Sequence, residues 1–293
     1  MYKRSPNNDP EFKTLTIVAD DFGYGLLRNE GILECLQVSA VSCTSVLVNC
    51  KQTESGVKLL KRNGLSGNSG LHFNITEGAP ICDPESVTSL VNKNGKFLGK
   101  EAFWGSPNIE EGHVEMELCA QIRRFEQLFG FLPFRVDGHQ HVHVHPKVVN
   151  IFAAVLRKLQ ILQTRVPLEH DLKCSHSSDR NSFHERIRSL ALESKVIFNK
   201  QGIRHAQVFI GMNFMGSLMS VEGLICTLGE VFKANQTCEL MVHPGEKSCF
   251  VTDGFEGDNF CDEFSMSADR VHEMIVLLDV RLREFYEKNN IKV

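Results

Sequence analysis

The sequence lacks any long hydrophobic run. None of its apolar stretches approaches the roughly 20 residues that a membrane-spanning helix needs, and its first residues are basic and polar, without the apolar core of a secretory signal. An excess of charge of one sign is also missing, since the net charge is −4 and the isoelectric point is about 6.3. Without a signal or a membrane span, we predict a cytoplasmic protein. Because nucleic acids and anionic membranes bind cationic surfaces, we also predict that it binds neither nucleic acid nor membrane.

Several catalytic and metal-binding motifs are absent as well. The ten cysteines are scattered through apolar segments with no CxxC pair, which excludes a zinc ribbon or a thioredoxin motif. In a chain without a secretory signal, this distribution predicts reduced, mostly structural thiols. The glycines near Gly23 do not complete a GxGxxG pattern, and no GxSxG pattern surrounds a serine, so a nucleotide site is weakly supported and a serine hydrolase is disfavoured.

The apolar and amphipathic segments that are present alternate along the chain. Hydrophobic residues make up 42% of the 293 residues and charged residues 23%, which is typical of a soluble globular protein. The length allows one large domain or two modest ones. We interpret residues 1–12 as a flexible polar tail and residues 13–293 as a single domain. The segment 79–107, which carries the single tryptophan, Trp104, interrupts the alternation.

The periodicity predicts seven strands and seven helices. The strands are expected at 15–19, 44–48, 69–73, 134–136, 162–166, 206–210 and 239–242, and the helices at 26–38, 53–63, 111–129, 146–159, 179–200, 221–232 and 268–288. Seven strand-then-helix units favour an α/β fold, either a parallel sheet or a closed β/α barrel with the helices outside.

Polar side chains follow the predicted strands where each strand ends. Active sites of β/α barrels are built at those carboxyl ends, because the ends converge on one mouth. The first strand ends in two adjacent carboxylates, Asp20 and Asp21. One of them could bind a cation while the other acts as a base, and the alternative is a helix cap. The later strand ends contribute His72, Arg165 and His243.

Each of these later residues also has a structural interpretation. A single histidine on an apolar strand, such as His72, is more often a hydrogen-bonded core residue than a ligand. His243 could be a general acid or could simply cap its strand. Arg165 could orient an aspartate or could lie on the surface.

The segment DGHQHVHVHP adds four histidines at alternate positions, which is harder to dismiss. These histidines are His139, His141, His143 and His145. On an extended segment they share one face, but they cannot all reach one ion. We therefore expect one or two of them to contact metal or substrate and the others to be hydrogen-bonded or exposed. A carboxylate with two histidines suits Zn²⁺, Mn²⁺, Co²⁺ or Fe²⁺, whereas Mg²⁺ prefers oxygen ligands.

Six segments resemble, in order, those of the YdjC-like carbohydrate deacetylases: TIVADDFGY, TSVLVN, GLHFNITEG, DGHQHVH, TRVPLE and ELMVHPG. The resemblance spans about residues 14 to 285 and is closest to the animal members. It implies a distorted β/α barrel related to the NodB-type deacetylases and one divalent metal ion, described as Mg²⁺ in that family. The implied reaction is hydrolysis of the N-acetyl group of acetylated amino sugars such as chito-oligosaccharides.

The resemblance also implies roles for individual residues. Asp20 matches the proton acceptor and His243 the general acid, while the metal ligands match Asp21, His72 and His139. We add Arg165 as a catalytic partner of Asp20, and we expect substrate contacts from Asn74, Asp137 and His141. Glu246 stands where family members often carry an aromatic residue, which bears on the shape of the substrate rim.

Two other functions remain as alternatives. A sugar- or protein-binding module could keep the fold without turnover, although such a module usually loses a ligand or the base first. A metallo-phosphoesterase would need more acidic ligands and cationic phosphate clamps than the single Arg165. We expect an acetylated amino sugar as the binding partner and leave a homodimer open.

Overall fold

The computed structural model describes residues 13–169, 182–232, 236–249, 251–256 and 263–293, so the predicted tail at 1–12 lies outside the described residues. Within them the strands are β1 Lys13–Phe22, β2 Cys43–Val46, β3 Ser69–Phe73, β4 Val136–Gly138, β5 Val208–Ile210, β6 Thr237–Val242 and β7 Ile291–Lys292. The helices are α1 Leu26–Gln37, α2 Thr53–Arg62, α3 Lys100–Gly105, α4 Glu111–Phe129, α5 Val149–Lys158, α6 Ser182–Lys200, α7 Val221–Val231, α8 Glu263–Met266, α9 Asp269–Leu277 and α10 Val280–Lys288.

The strands form one parallel sheet in the order β4-β3-β2-β1-β6-β5, with β7 paired to the start of β1. Strand β1 lies inside the sheet between β2 and β6. Its residues Ile17, Val18 and Ala19 are fully buried, as expected for a parallel strand that is covered on both faces. The predicted α/β architecture with a parallel sheet is therefore confirmed.

The predicted strand at 162–166 is wrong, because this segment makes only isolated bridges. Gln163 bridges to Arg204 and Glu169 to Phe209, and the Val136 amide donates to the Gln163 carbonyl at 3.2 Å. Pro167 has no N–H group to extend a ladder, and it restricts the residue before it. The segment thus lies between β4 and β5 and closes the sheet irregularly, as a distorted barrel.

The helices agree with the sequence except where a cap or an excursion intervenes. Helix α4 has the predicted bounds, but the helix expected at 268–288 is two helices, α9 and α10. Asp279 caps the second of them by accepting the amide of Arg281. The excursion at 79–107 contains α3, where the Trp104 ring packs on Phe183, with ring centroids 5.4 Å apart. The excursion thereby covers the start of α6.

The cysteines mostly agree with the expectation of reduced thiols. Seven of them are free in the described residues: Cys35, Cys43, Cys50, Cys82, Cys119, Cys238 and Cys249. Cys226 is disulfide-bonded, so the expectation is wrong at that position. None of the described helices is both long enough and apolar enough to cross a membrane.

Candidate active site and metal centre

The strand registers bring the predicted residues to one end of the barrel. The pairing of β1 with β6 ends at Ala19 and Val242, so Asp20 and His243 follow it at the same end of the sheet. The pairing of β3 with β4 sets His72 directly beside Asp137. A cavity of about 400 Å³ opens at this end. Six of the nine predicted site residues line it: Asp20, Asp21, His72, His139, His141 and His243.

Three of these side chains form a cluster that fits a divalent cation. The ligand atoms of Asp21, His72 and His139 all lie within 4.8 Å of one another. Oδ1 of Asp21 is 3.2 Å from Nδ1 of His139 and 3.5 Å from Nε2 of His72, and this buried oxygen accepts no hydrogen bond from the described residues. Asp21 has a φ of 63°, a left-handed conformation that is uncommon outside glycine and that clusters at functional sites.

Each histidine of the cluster is oriented by a carboxylate on its other ring nitrogen. Nδ1 of His72 is 2.7 Å from Oδ1 of Asp137, and Nε2 of His139 is 2.6 Å from Oε2 of Glu77. These contacts leave Nε2 of His72 and Nδ1 of His139 facing Asp21. Metal-binding histidines are held in this manner, because a carboxylate fixes the tautomer and makes the free nitrogen more basic.

The electrostatics of the cluster also favour a cation. Burial raises the pKa of Asp21, but Arg270 and His139 outweigh burial and hold that pKa well below its usual range. Burial lowers the pKa of His139, yet the adjacent carboxylates of Asp21 and Glu77 prevail and raise it to about 10. The acids therefore hold a proton on His139 at neutral pH. Metal binding to histidine displaces such a proton.

Asp137 and Asn74, which were expected to contact the substrate, do not border the cavity. Both are fully buried and neither lines the cavity, because Asp137 stands behind His72. Asn74 accepts the backbone amides of Thr76 and Glu77 through its Oδ1 and thereby fixes the loop of Glu77. Of the three expected substrate contacts, only His141 borders the cavity.

The remaining histidines of the DGHQHVHVHP segment turn away from the cavity. Nε2 of His143 lies 3.0 Å from the Arg165 carbonyl oxygen, and burial lowers the pKa of His143 to about 3. His145 packs on Trp104 with ring centroids 5.0 Å apart. The 3₁₀ segment His139–Val144 takes positive φ values at Gln140 and His141, so the segment is not extended and its histidines do not share one face.

Asp20 is neither a helix cap nor free, because Arg165 holds it. Nη1 and Nη2 of Arg165 donate to the two Asp20 oxygens at 2.6 and 2.8 Å, and Arg165 is fully buried, which excludes the surface alternative. Helix α1 has Gly25 as its N-cap and no side-chain cap. Burial raises the pKa of Asp20, and Arg165 and His72 only partly offset that increase.

Two charged residues that the sequence analysis missed complete the buried network. Arg135 donates to Glu239 at 2.8 Å and to Asp137 at 3.2 Å, while Arg165 donates to Glu239 at 2.6 Å. Asp20, His72 and Asp137 form a second group of side chains that could hold a cation. In that group the arginines already compensate the negative charges of the two acids. A glutamate within the apolar strand TCELMV was the available signal for this network.

Arg270 is another residue that the sequence analysis missed, and it connects α9 to the cluster of Asp21, His72 and His139. Its Nη2 donates to Oδ2 of Asp21 at 2.7 Å, whereas Oδ1 of that carboxylate has no hydrogen bond within the described residues. The guanidinium lies over the Phe264 ring, 4.7 Å from the centroid. Nothing in the local sequence marks Arg270, because α9 follows the first strand by some 250 residues.

Comparison with known proteins gives the family of this chain. A family model described as YdjC-like protein matches residues 14–288. This chain belongs to the YdjC-like family. A carbohydrate deacetylase of Danio rerio is 37% identical over 94% of this chain and 95% of its own length, and the Homo sapiens carbohydrate deacetylase is 36% identical over 92% and 85%.

More distant relatives share the fold of this YdjC-like chain. A chitooligosaccharide deacetylase of Proteus mirabilis is 29% identical over 92% of both chains. A crystal structure of an Enterococcus faecalis protein, proposed to cleave cellobiose phosphate, covers 96% of this chain and 97% of its own, with 22% identity and a TM-score of 0.71. The fold of this chain is therefore shared with that structure over nearly the whole of both chains.

Proposed function

We propose that this YdjC-like chain hydrolyses the N-acetyl group of acetylated amino-sugar carbohydrates of the chito-oligosaccharide type. Curated relatives named carbohydrate deacetylase and chitooligosaccharide deacetylase support the reaction class. The observation that carries the proposal is the cluster of Asp21, His72 and His139, with Asp20 and His243 bordering the same cavity.

The three clustered side chains are the proposed ligands of one divalent cation. When bound, such a cation polarises the amide carbonyl and makes a water molecule more acidic. Two imidazole nitrogens and one carboxylate oxygen suit Zn²⁺, Mn²⁺ or Co²⁺ by ligand type, whereas the family description favours Mg²⁺. Asp137 and Glu77 would keep the two imidazoles in the ligating tautomer.

Asp20 is the proposed general base. Burial raises the pKa of Asp20 toward neutral pH, which makes the carboxylate a stronger base and improves its ability to take a proton from the attacking water. Arg165 occupies one lone pair on each oxygen, and a carboxylate has about four acceptor sites, so a water molecule can still donate to Asp20. Arg165 acts as the positioning residue of this base.

His243 is the proposed acid for the departing amine nitrogen, and His141 is a proposed substrate contact. His243 borders the same cavity as Asp20. His141 lines the cavity, and its buried Nδ1 has no hydrogen-bond partner among the described residues, which supports a contact with a polar group of the sugar. The reaction then needs one proton acceptor and one proton donor, and the cavity presents both.

The two alternative functions are less well supported. A silent member of the fold would be expected to lack a ligand or the base, and all five residues are present and grouped. A phosphoesterase needs free cations for phosphate, whereas Arg135, Arg165 and Arg270 each already bind a carboxylate.

The test is acetate release from N-acetylated chito-oligosaccharides by the metal-free chain after addition of Zn²⁺, Mn²⁺, Co²⁺ or Mg²⁺ separately. The expected result is activity that a chelator abolishes and that one or more of these ions restores. The matched protein control is Asp279→Asn, which changes a half-buried helix cap outside the cavity lining and should leave acetate release unchanged. Activity that persists without any metal would contradict the proposal.

A further inference from the structure

Glu273 of α9 is a fully buried acid beside His243 that the proposed reaction does not use. Its Oε2 accepts the backbone amide of His243 at 2.5 Å, and its Oε1 accepts the backbone amide of Gly216 at 2.6 Å. The carboxyl group is therefore fixed against the strand end that carries His243 and against the loop at 215–219.

The same carboxyl group faces an unsatisfied ring nitrogen. Nδ1 of His243 is buried and has no hydrogen-bond partner among the described residues, and Oε1 of Glu273 lies 3.9 Å from it. A buried polar atom without a partner is costly and calls for an explanation. A small rotation of the imidazole would bring the two atoms within hydrogen-bond distance and leave Nε2 for the substrate.

The electrostatics explain why His243 needs such a partner. Burial, with Arg270 and Arg165, holds the pKa of His243 well below its usual range although Asp21 opposes them. A lone His243 would therefore be neutral at neutral pH and would have no extra proton to give. Burial also raises the pKa of Glu273 to about 7 against its two amide bonds and Arg270, so this acid can hold a proton near neutrality.

We propose that Glu273 is the positioning residue of His243 and that the two side chains act as one acid with a single transferable proton. This inference rests on the proposed function. As the carbon–nitrogen bond breaks, the Nε2 proton of His243 moves to the leaving nitrogen, and the Glu273 carboxyl proton moves to Nδ1. The pair then carries one negative charge and regains its proton from solvent.

Several charged and titratable groups face this pair from the surrounding elements. Asp21 and His72 face His243 from the ends of β1 and β3, Arg165 from the irregular segment, and Arg270 from α9. Asp20 and Arg270 face Glu273. Because these neighbours remain unchanged in a Glu273 variant, a shift in the pH profile of that variant reports on the pair.

The experiment compares Glu273→Gln with Glu117→Gln in the metal-loaded full chain. Glu117 is a matched control, since it is fully buried and accepts two backbone amides, those of Ile81 and Cys82, each at 2.9 Å. Both variants should lose stability for the same reason. Only Glu273→Gln should lower kcat, by at least about tenfold with KM nearly unchanged.

The pH profile supplies a readout that a purely structural role would not move. Without the Glu273 carboxyl group, the transferable proton would have to reside on His243 alone, whose pKa burial holds low, so the basic limb of kcat should shift to lower pH by about one unit or more. The Glu117→Gln profile should overlay that of the wild type. In ¹⁵N NMR spectra, assigned with His243→Gln, the Nδ1 resonance of His243 should move in Glu273→Gln and not in Glu117→Gln.

Three results would overturn one proposal or the other. If Glu273→Gln keeps the wild-type kcat and basic limb and shares only the stability loss of Glu117→Gln, Glu273 is merely structural. If His243→Gln is fully active, the assignment of the acid itself fails, independently of Glu273. If Glu273→Gln does not fold, Glu273→Asp should fold and keep a basic limb with reduced kcat; an unchanged kcat would again refute the pair.

Discussion

Two adjacent aspartates reach different environments because a different arginine holds each one. Arg165, from the irregular segment, grips both oxygens of Asp20, whereas Arg270, from α9, takes only Oδ2 of Asp21. The left-handed backbone at Asp21 turns that side chain toward the histidines. Neighbours in the sequence can thus serve as base and ligand in one site.

Asp20→Asn should separate these two roles. Asparagine keeps the shape and an acceptor oxygen but cannot take a proton, so we expect metal content to be retained while kcat falls by ~10²–10⁴-fold. Metal analysis by mass spectrometry and acetate release on the same preparation would check this. A variant that has lost its metal would assign Asp20 to the ligands instead.

The histidines of the DGHQHVHVHP segment make a second test at the residue scale. His139→Ala should abolish stoichiometric metal binding, because it removes one of three clustered ligands. His145→Ala is the comparison, since His145 packs on Trp104 and does not line the cavity, and it should retain metal. Equal metal content in the two variants would show that His139 is not a ligand.

At the scale of the elements, strand β3 makes room for the buried network through Gly70. A Cβ atom at Gly70 would lie 2.5 Å from Cγ of Arg135 and 3.0 Å from its carbonyl oxygen. Arg135 could not keep its bonds to Glu239 and Asp137 without a shift of the strand. A residue without a side chain is therefore required in the middle of this sheet.

Gly70→Ala should accordingly lower the free energy of unfolding by about 1–3 kcal/mol, the usual cost of overpacking a core. Gly67→Ala is the control, because nothing lies within 4 Å of the added atom there. Urea denaturation of both variants would measure the difference. Equal stabilities would mean that Arg135 can move at no cost.

The elements with clear periodicity could be predicted from the sequence, and those set by single contacts could not. The predicted bounds of helix α4 match the structure at both ends, because its apolar positions repeat over nineteen residues. The break between α9 and α10 depends on one cap, Asp279. At the site, Asp21 and His72 follow recognisable strands, whereas Arg135, Glu239 and Arg270 act through partners far along the chain, which no local pattern records.

For the whole molecule, the buried acid Glu273 makes stability depend on pH. Its pKa is raised from 4.5 to about 7. The contribution of protonated Glu273 to the free energy of unfolding is therefore fully present below pH 4.5 and is lost as the pH rises through about 7. A shift of this size corresponds to about 3 kcal/mol. Between pH 5 and 8, the metal-free wild type should lose more stability than Glu273→Gln. Parallel stability curves for the two proteins would contradict this.

The irregular closure at residues 162–169 has a consequence for how the barrel fluctuates. A wall with few ladder bonds opens at lower free energy than a regular strand, so its amides should exchange hydrogen with solvent sooner than those of β1. Arg165 lies in this wall and binds acids on two other elements, Asp20 and Glu239. The ion pairs of Arg165 therefore both orient the base and hold residues 162–169 closed. Any local opening of this segment would break the Arg165–Asp20 ion pair and inactivate the site at the same time.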